Sequence, residues 1–433
     1  MTKDTRKEKI KTVIRVASGN LLEMYDFMIF GYYAAAIGRT FFPKTSEFAS
    51  LMLSLATFGA GFLMRPLGAL VLGAYLDSHG RRAGLILTLS LMSVGTFSIA
   101  MTPGYQTLGL AAPLIILAGR LVQGFSAGAE LGGVSVYLSE IATPGHKGFY
   151  VSWQSASQQV AVVLAALSGV ALHSFLTTTQ VDAWGWRLPL LGGCLIIPFL
   201  FLIRRSLTET QDFQRRRRHS NREILRSMAV NWRLVLMGTM LVTMTTVAFY
   251  TITAYTPTFG RSALHLGDKD TLMVTLCVGI SNFIALPLMG ALSDRVGRRP
   301  LLIVFTVLTL LTAYPALCWL AASVSFSRLL IVELWLSCVY GGYNGAMVVY
   351  LTEIMPAHVR ASGFSMAYSL ATALFGGFTP MIATYLIEVT HNVAMPGVWM
   401  SVAAGMGLMA TLWSLRLPQV NTLARVPVVE PAG

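Results

Sequence analysis

Twelve apolar runs, each close to the length of a membrane-spanning helix, constrain this chain more than any other feature of its sequence. A helix that crosses a bilayer needs about 20 predominantly apolar residues, because its backbone polar groups must be hydrogen-bonded within the segment. The composition agrees, since 55% of the residues are hydrophobic and only 12% are charged. Soluble domains carry roughly twice that charged fraction. We therefore predict an all-α integral membrane protein.

The predicted spans form two groups of six. The first group lies near residues 17–40, 49–76, 84–102, 109–140, 149–172 and 187–205. The second group lies near residues 233–257, 272–293, 300–321, 327–352, 361–387 and 396–416. With both termini inside, 23 of the 32 Lys and Arg residues fall in cytoplasmic segments and six in outer loops. This excess follows the positive-inside rule, so both termini are predicted to be cytoplasmic.

The net charge of +13 is explained by this topology, so a nucleic-acid partner is not expected. The cysteines lie inside apolar runs without CxxC spacing, which predicts neither disulfides nor a metal site. The sequence has no phosphate-binding glycine loop, nucleophile elbow or metal-ligand cluster. We therefore predict neither an enzyme nor a cofactor.

Two sequence cassettes recur at half-chain spacing. "GAYLDSHGRR" begins at Gly73 and "GALSDRVGRR" at Gly290, while "YLSEIATPGHKG" begins at Tyr137 and "YLTEIMPAHVRASG" at Tyr350. Corresponding positions in both halves indicate a duplicated architecture typical of transporters. We predict a six-helix bundle over 1–205, a basic cytoplasmic linker over 206–231, a second bundle over 232–417 and a disordered tail over 418–433.

The cassettes place charged residues at the cytoplasmic ends of spans. A helix C-terminus disfavours an anion, so each acid there needs a cationic partner. Ion pairs of this kind predict a cytoplasmic gate that breaks when the bundles rock. The alternative is that the charges only anchor helix ends. The predicted gate residues are Asp77, Arg81, Arg82 and Glu140 in the first half and Asp294, Arg295, Arg298, Arg299 and Glu353 in the second.

Residues Gly290 to Arg299 resemble the signature of the major facilitator superfamily, although the first copy has Ser78 where a basic residue is usual. "GRLVQGFSAGAE" resembles the fourth-helix motif of the superfamily, whose arginine is associated with proton coupling. "SGNLLEMYDFMIFGYY", "GFLMRPLGALVLGAY" and "SWQSASQQVAVV" are similar to the metabolite:proton symporter branch. Within it, the chain most resembles the citrate–proton and tricarballylate–proton carriers. This resemblance implies a twelve-helix symporter driven by a proton gradient.

Few ionisable residues lie within the predicted spans. Placing such a residue in the membrane costs free energy, so those that occur there usually have a function. Glu23 and Asp26 are three residues apart and share a helix face. Two close carboxylates cannot both ionise cheaply, which favours reversible proton binding. We predict proton coupling by Glu23, Asp26 or Glu130. The alternative is static pairing of one acid with Arg65 or Arg120.

Arg120 is the first candidate for binding an anionic substrate and Arg65 the second, because a guanidinium binds a carboxylate through two hydrogen bonds. Structural roles remain the alternative for both. At an offset of 213 residues Arg120 corresponds to Glu333, so the first half is predicted to hold most of the anion. Further substrate contacts are predicted for Gln154, Gln158, Tyr250, Asn344 and Tyr368. For these polar residues interhelical hydrogen bonds are the alternative.

Together, these features and the resemblance predict a monomeric symporter of a bacterial inner membrane. It would import citrate, or as a second choice tricarballylate, with protons by alternating access. Another metabolite such as a dicarboxylate is the alternative substrate. A membrane sensor of carboxylates is a further alternative, although the linker and tail are too short for an added signalling domain.

Overall fold

Helices account for nearly all of the chain that the computed structural model describes, namely residues 21–43, 46–79, 81–128, 131–205, 229–356 and 360–416. These helices group into twelve stretches, which we call spans 1 to 12, at the positions that hydropathy predicted. The predicted tail and all of the predicted linker before residue 229 lie outside the described residues. The division into two bundles with those boundaries stays a prediction.

Among the first six spans, spans 1, 2 and 4 each comprise two helices, and two short helices lie in the loops. Span 1 comprises Leu21–Tyr32 and Ala34–Phe41, span 2 Glu47–Leu63 and Arg65–His79, span 3 Arg81–Met101, span 4 Ala111–Ala127 and Leu131–Ile141, span 5 Lys147–Phe175, and span 6 Arg187–Arg205. Tyr105–Leu108 precedes span 4, and Thr178–Gln180 with the π-helix Val181–Gly185 joins spans 5 and 6.

The second six spans are longer and contain two π-helical turns. Span 7 comprises Trp232–Tyr250, the π-helix Thr251–Tyr255 and Thr256–Ser262, span 8 Asp268–Val296, span 9 Arg298–Ala322, span 10 Phe326–Ile354, span 11 Arg360–Ala371, the π-helix Thr372–Gly376 and Thr379–Thr390, and span 12 Met395–Leu415. Within the described residues, seven helices are long and apolar enough, by length and composition, to cross a membrane, and they belong to spans 2, 5, 7, 8, 9, 11 and 12.

Proline explains why the π-helical turns occur where they do. Pro257 follows the first turn and Pro380 follows the second. Proline has no backbone N–H, and its ring crowds the carbonyl four residues earlier, so the helix widens at this point. In span 11 the N–H of Gly377 accordingly bonds the carbonyl of Thr372, five residues back, at 2.8 Å. Spans 7 and 11 of the second half-chain therefore each carry a built-in bend.

Spans 5 and 8 pack against each other and join the two half-chains. At their cytoplasmic ends the backbones of Gly148 and Gly290 are in close contact. A Cβ atom added at Gly290 would lie only 2.5 Å from the Gly148 carbonyl oxygen. Near the outer ends Gly169 packs against Leu272. Glycine permits such close approach of helices in membrane proteins.

Candidate functional site

Span 1 presents two acids and two aromatic rings to a pair of buried arginines. Arg65 begins the second helix of span 2, and Arg120 lies in the first helix of span 4. Both arginine side chains have no exposed surface, while Glu23 is 6% and Asp26 1% exposed. These four residues were predicted because ionisable side chains are rare within the spans. The structure places them together in the first half-chain.

Arg65 is paired on only one side of its guanidinium. Its Nη2 donates to Glu23 Oε1 at 2.6 Å. Its Nε and Nη1 have no hydrogen-bond partner among the described residues. The guanidinium carbon lies 4.5 Å from the centre of the Phe62 ring and 5.1 Å from that of Phe27, in cation–π distance. Two donor nitrogens of Arg65 are therefore buried and available.

Arg120 has the same incomplete pairing. Its Nη1 donates to Gln123 Oε1 at 2.9 Å, and the described part of the chain supplies no partner for Nε or Nη2. Its guanidinium carbon lies 4.2 Å from the centre of the Phe27 ring and 4.5 Å from that of Phe30. Phe27 therefore contacts both cations, and the aromatic rings exclude water from them.

Asp26 has neutral partners. The Thr96 hydroxyl donates to Asp26 Oδ2, and Gln123 Nε2 lies 3.4 Å from the same oxygen. Oδ1 has no hydrogen-bond partner, and no cationic group forms an ion pair with Asp26 within the described ranges. The structure thus pairs Glu23 with Arg65, as the alternative interpretation described, and leaves Asp26 as the unpaired acid. Glu130 lies outside the described residues.

Span 5 contributes the predicted glutamines, and both are buried. Gln154 Oε1 accepts a hydrogen bond from the Ser155 hydroxyl at 3.0 Å. Gln158 Nε2 has no partner among the described residues, and neither amide atom of Gln159 has one. Gln159 was not among the predicted contacts, although its place beside Gln158 on the same buried face is a sequence signal for it.

The second half-chain brings aromatic and amide groups towards the same place. Tyr250 packs edge-on against Phe62, with ring centres 5.2 Å apart, and the Phe62 ring also lies against the Arg65 guanidinium. Asn344 Nδ2 donates to the Tyr340 hydroxyl at 3.3 Å, while its Oδ1 lacks a partner in the described structure. The three predicted substrate contacts of this half-chain, Tyr250, Asn344 and Tyr368, are thus buried, and Tyr250 contacts the same Phe62 ring as Arg65.

Asp294 connects the two half-chains at the cytoplasmic end of span 8. It accepts hydrogen bonds from the backbone N–H groups of Gly148 at 2.8 Å and Phe149 at 3.0 Å, at the start of span 5. A helix N-terminus favours a carboxylate in this position. Arg298 bonds Asp294 at 2.8 Å and Glu353 at 3.2 Å, beside a cavity of about 370 Å³.

The other predicted gate residues differ in their surroundings. Arg299 donates to the Tyr350 hydroxyl and the Ser414 carbonyl, each at 3.2 Å, and so anchors helix ends within the second half-chain. Arg295 is exposed, with no ion pair to the described residues, and Glu140 is also exposed. The side chains of Asp77, Arg81 and Arg82 lie outside the described part of the structure.

An ionic cluster at the outer surface was not predicted. Asp182, in the loop between spans 5 and 6, accepts from Arg261 Nη1 at 2.9 Å and Nη2 at 2.6 Å, and from Arg39 at 2.8 Å. Arg261 also lies 3.6 Å from Asp268, which is 4.0 Å from His173. Partial burial raises the pKa of Asp182, but the two guanidinium groups outweigh it and leave that pKa below its usual value. Basic residues are scarce in the predicted outer loops, so the presence of Arg261 in one of them was a sequence signal for this cluster.

Comparisons with known proteins agree on the family. The profile of the Major Facilitator Superfamily matches residues 16–380. The chain is 61% identical to a citrate-proton symporter of Klebsiella pneumoniae, over 94% of this chain and 92% of that protein. It is 32% identical to the alpha-ketoglutarate permease of Escherichia coli K12, over 90% of both chains.

A crystal structure of a D-xylose-proton symporter has the same fold, with a TM-score of 0.74 and 18% sequence identity over 95% of this chain and 98% of that one. The predicted family and fold class are therefore confirmed. This chain is a multi-pass membrane transporter that belongs to the major facilitator superfamily.

Proposed function

We propose that this transporter imports citrate together with protons by alternating access, as a monomer in a bacterial inner membrane. The observation that supports it most directly is the set of four buried donor nitrogens on Arg65 and Arg120 that have no partner among the described residues. An unsatisfied buried donor costs about 1–3 kcal/mol, which a ligand oxygen would recover. Carboxylates match paired guanidinium donors in geometry and charge.

The shared contact with Phe27 suits a ligand that carries more than one carboxylate. Both guanidinium groups lie within 5.1 Å of this ring, so one molecule can reach both. The unpaired amides of Gln158 and Gln159 would bind further oxygens from the side of span 5. Tyr250 and Tyr368 would approach from the second half-chain, so that substrate contacts both halves at once.

Proton coupling follows from the charge balance at the site. Glu23 neutralises Arg65, whereas Asp26 interacts electrostatically with Arg120 without an ion pair. When Asp26 binds a proton, the positive charge of Arg120 is left uncompensated and attracts the anion more strongly. Proton and citrate would then bind cooperatively, with Asp26 as the coupling acid.

The two ionic contacts between half-chains would act as gates. Separation of the outer ends breaks the Asp182–Arg261 pair, and separation of the cytoplasmic ends breaks the bonds from Asp294 to span 5. Both contacts are formed in this structure.

An inside-negative potential opposes entry of an anion by about 2.3 kcal/mol per charge per 100 mV, so cotransported protons are needed to import a polyanion.

Tricarballylate, which differs from citrate only by the absence of the hydroxyl, is the second candidate substrate. A dicarboxylate is a further candidate, because Arg65 and Arg120 favour carboxylates but do not fix how many carboxylates the substrate carries. The similarity to a permease named for alpha-ketoglutarate favours retaining this alternative. A carboxylate sensor is disfavoured, since ionic contacts at both surfaces suit a carrier that opens to each side in turn.

Labelled citrate uptake into liposomes that contain the purified protein tests this function. An imposed inward proton gradient should drive accumulation, and excess unlabelled tricarballylate should compete if the citrate hydroxyl contributes little. Liposomes without a gradient and liposomes without protein are the controls. Absence of gradient-driven uptake of citrate, tricarballylate and alpha-ketoglutarate alike would contradict the proposal.

A further inference from the structure

Glu333 in span 10 is a buried acid that the proposed transport site does not use. Its side chain is 2% exposed, and its Oε1 lies 3.0 Å from the hydroxyl oxygen of Thr256 in span 7. Its Oε2 has no hydrogen-bond partner, and the described residues provide no cation within ion-pair distance. An unpaired carboxylate in this environment would be very costly, whereas a neutral carboxylic acid would not.

Hydrogen counting at Thr256 links the direction in which its hydroxyl donates to the protonation of Glu333. The Thr256 hydroxyl oxygen lies 3.0 Å from Glu333 and also 3.2 Å from the carbonyl oxygen of Thr251. A hydroxyl has one hydrogen to donate, and a carbonyl oxygen can only accept. If Thr256 donates to Thr251, the contact with Glu333 is a hydrogen bond only when Glu333 donates, which requires a protonated carboxyl group.

Loss of that proton would rearrange this contact. An ionised Glu333 can only accept, so the single hydrogen of Thr256 would turn towards the carboxylate. The carbonyl of Thr251 would then lose its bond from the Thr256 side chain. Thr251 is the first residue of the π-helical turn Thr251–Tyr255, so the proton on Glu333 controls a hydrogen bond across the bend of span 7.

The bend connects this acid to both functional regions described above. Tyr250, immediately before the π-helical turn, packs against Phe62 in the arginine site. On the other side of the bend, the Thr258 hydroxyl donates to the Gly31 carbonyl of span 1 at 3.0 Å. Arg261, further along the same helix, forms the outer ion pair with Asp182. A change in the bend would therefore reach the substrate site and the outer gate.

Polar side chains continue from Glu333 along one face of span 10. Ser337 donates to Asn282 Oδ1 of span 8 at 2.8 Å, and Asn344 bonds the Tyr340 hydroxyl. The spacing of four, three and four residues from Glu333 through Ser337 and Tyr340 to Asn344 places all of them on one helix face. Asn282 Nδ2 and Asn344 Oδ1 are buried without partners in the described structure. This row offers hydrogen-bonding groups between Glu333 and the centre of the molecule.

Other ionisable groups on the packed elements do not replace the proton. Arg261 and Asp268 belong to the outer ionic cluster. The other titratable side chains on nearby parts of spans 7, 8 and 10 are Tyr250, Tyr255, Cys277, Arg328, Cys338 and Tyr340. Arg328 donates to the Trp319 carbonyl and forms no ion pair with Glu333. The described surroundings therefore give Glu333 no ion-paired counter-charge.

We propose that Glu333 is a proton-binding site in the second half-chain, whose occupancy sets the Thr256–Thr251 hydrogen bond at the bend of span 7. Its ligand is the proton itself. The link to transport rests on the proposed proton symport, whereas proton binding at Glu333 can be measured independently of it.

Infrared difference spectra of the full chain in liposomes, between acid and alkaline buffer, test the proton site. A buried carboxylic acid gives a carbonyl band that disappears on ionisation. We expect Glu333→Gln to lose one such band. Thr256→Val should shift that band, because the hydroxyl partner is removed, and Thr256→Ser should leave it in place. Glu388→Gln, at an exposed glutamate of span 11, is the matched control.

Citrate uptake by the same variants tests the link to transport. Glu333→Gln should reduce the stimulation of uptake by an inward proton gradient, and Glu388→Gln should not. An unchanged carbonyl band in Glu333→Gln would overturn the proton site. If Glu333→Gln loses the band but its citrate uptake is stimulated by the gradient as in the wild type, a role of Glu333 in coupling would be overturned. Absence of gradient-driven uptake in the unmodified protein would instead contradict the proposed function.

Discussion

Asp182 and Arg261 form a two-pronged ion pair, with N–O distances of 2.9 and 2.6 Å, that ties the loop between spans 5 and 6 to the end of span 7. The pair joins the two half-chains at the outer surface. Asp294 and the start of span 5 join them at the cytoplasmic surface. Contacts at both surfaces therefore join the two half-chains in the same structure.

Asp182→Asn should favour opening of the outer side. The substitution removes the charge that both Arg39 and Arg261 contact, while the residue keeps its size. Because the pair is partly exposed, we expect a cost of about 1 kcal/mol, or roughly a fivefold change in the ratio of open to closed molecules. Distances between spin labels on the outer ends of spans 1 and 7 would report it. Glu388→Asn is a control at an exposed acid, and equal distance distributions in both variants would contradict the role of Asp182.

The pH dependence of this outer contact has a definite sign. Partial burial raises the pKa of Asp182, but the neighbouring guanidinium groups lower it more, so the pKa in the closed state is below the ordinary value of about 3.9. The contact therefore contributes fully above that ordinary value and is lost as the pH falls through the lowered pKa. The same spin-label distances should stay constant from neutral pH down to mildly acidic pH. Opening within that range would show that another group controls the outer contact.

Arg120→Lys should weaken citrate binding at least about tenfold. Lysine keeps the charge but not the planar pair of donors, and a hydrogen bond to a charged group contributes about 1.5–3 kcal/mol. Titration calorimetry with citrate measures the change. Arg328→Lys applies the same substitution to an arginine that bonds the Trp319 carbonyl and should leave the affinity unchanged. An unaltered affinity in Arg120→Lys would exclude a two-pronged contact between Arg120 and the substrate.

Hydropathy was sufficient to predict the spans because each must satisfy its backbone within an apolar run. The rarity of charge in those runs likewise identified Arg65, Arg120, Glu23 and Asp26. Their partners were harder to predict, because the acids are neighbours on span 1 and both arginines lie far away in sequence. Only the packing of spans 1, 2 and 4 determines that Glu23, rather than Asp26, meets Arg65.

The contacts between the half-chains show a second limit of sequence reasoning. Asp294 was expected to need a positive partner, and Arg298 supplies one. Its contacts to the other half-chain are the backbone N–H groups of Gly148 and Phe149, which leave no side-chain signature. At the outer surface, Asp182 and Arg261 are 79 positions apart in unrelated segments. No repeat or motif indicates that they meet.

Gly290→Ala should weaken closure of the cytoplasmic side. The added Cβ would lie 2.5 Å from the Gly148 carbonyl oxygen, so spans 5 and 8 must separate to accommodate it. Overpacking of this kind costs about 1–3 kcal/mol, and separation also lengthens the bonds between Asp294 and span 5. Gly405→Ala in span 12 is the matched control, because a Cβ there meets no atom within 4 Å. Spin labels at the cytoplasmic ends of spans 5 and 8 should show longer distances in Gly290→Ala alone. The same distances in both variants would mean that the close contact of the two glycines does not hold the cytoplasmic side shut.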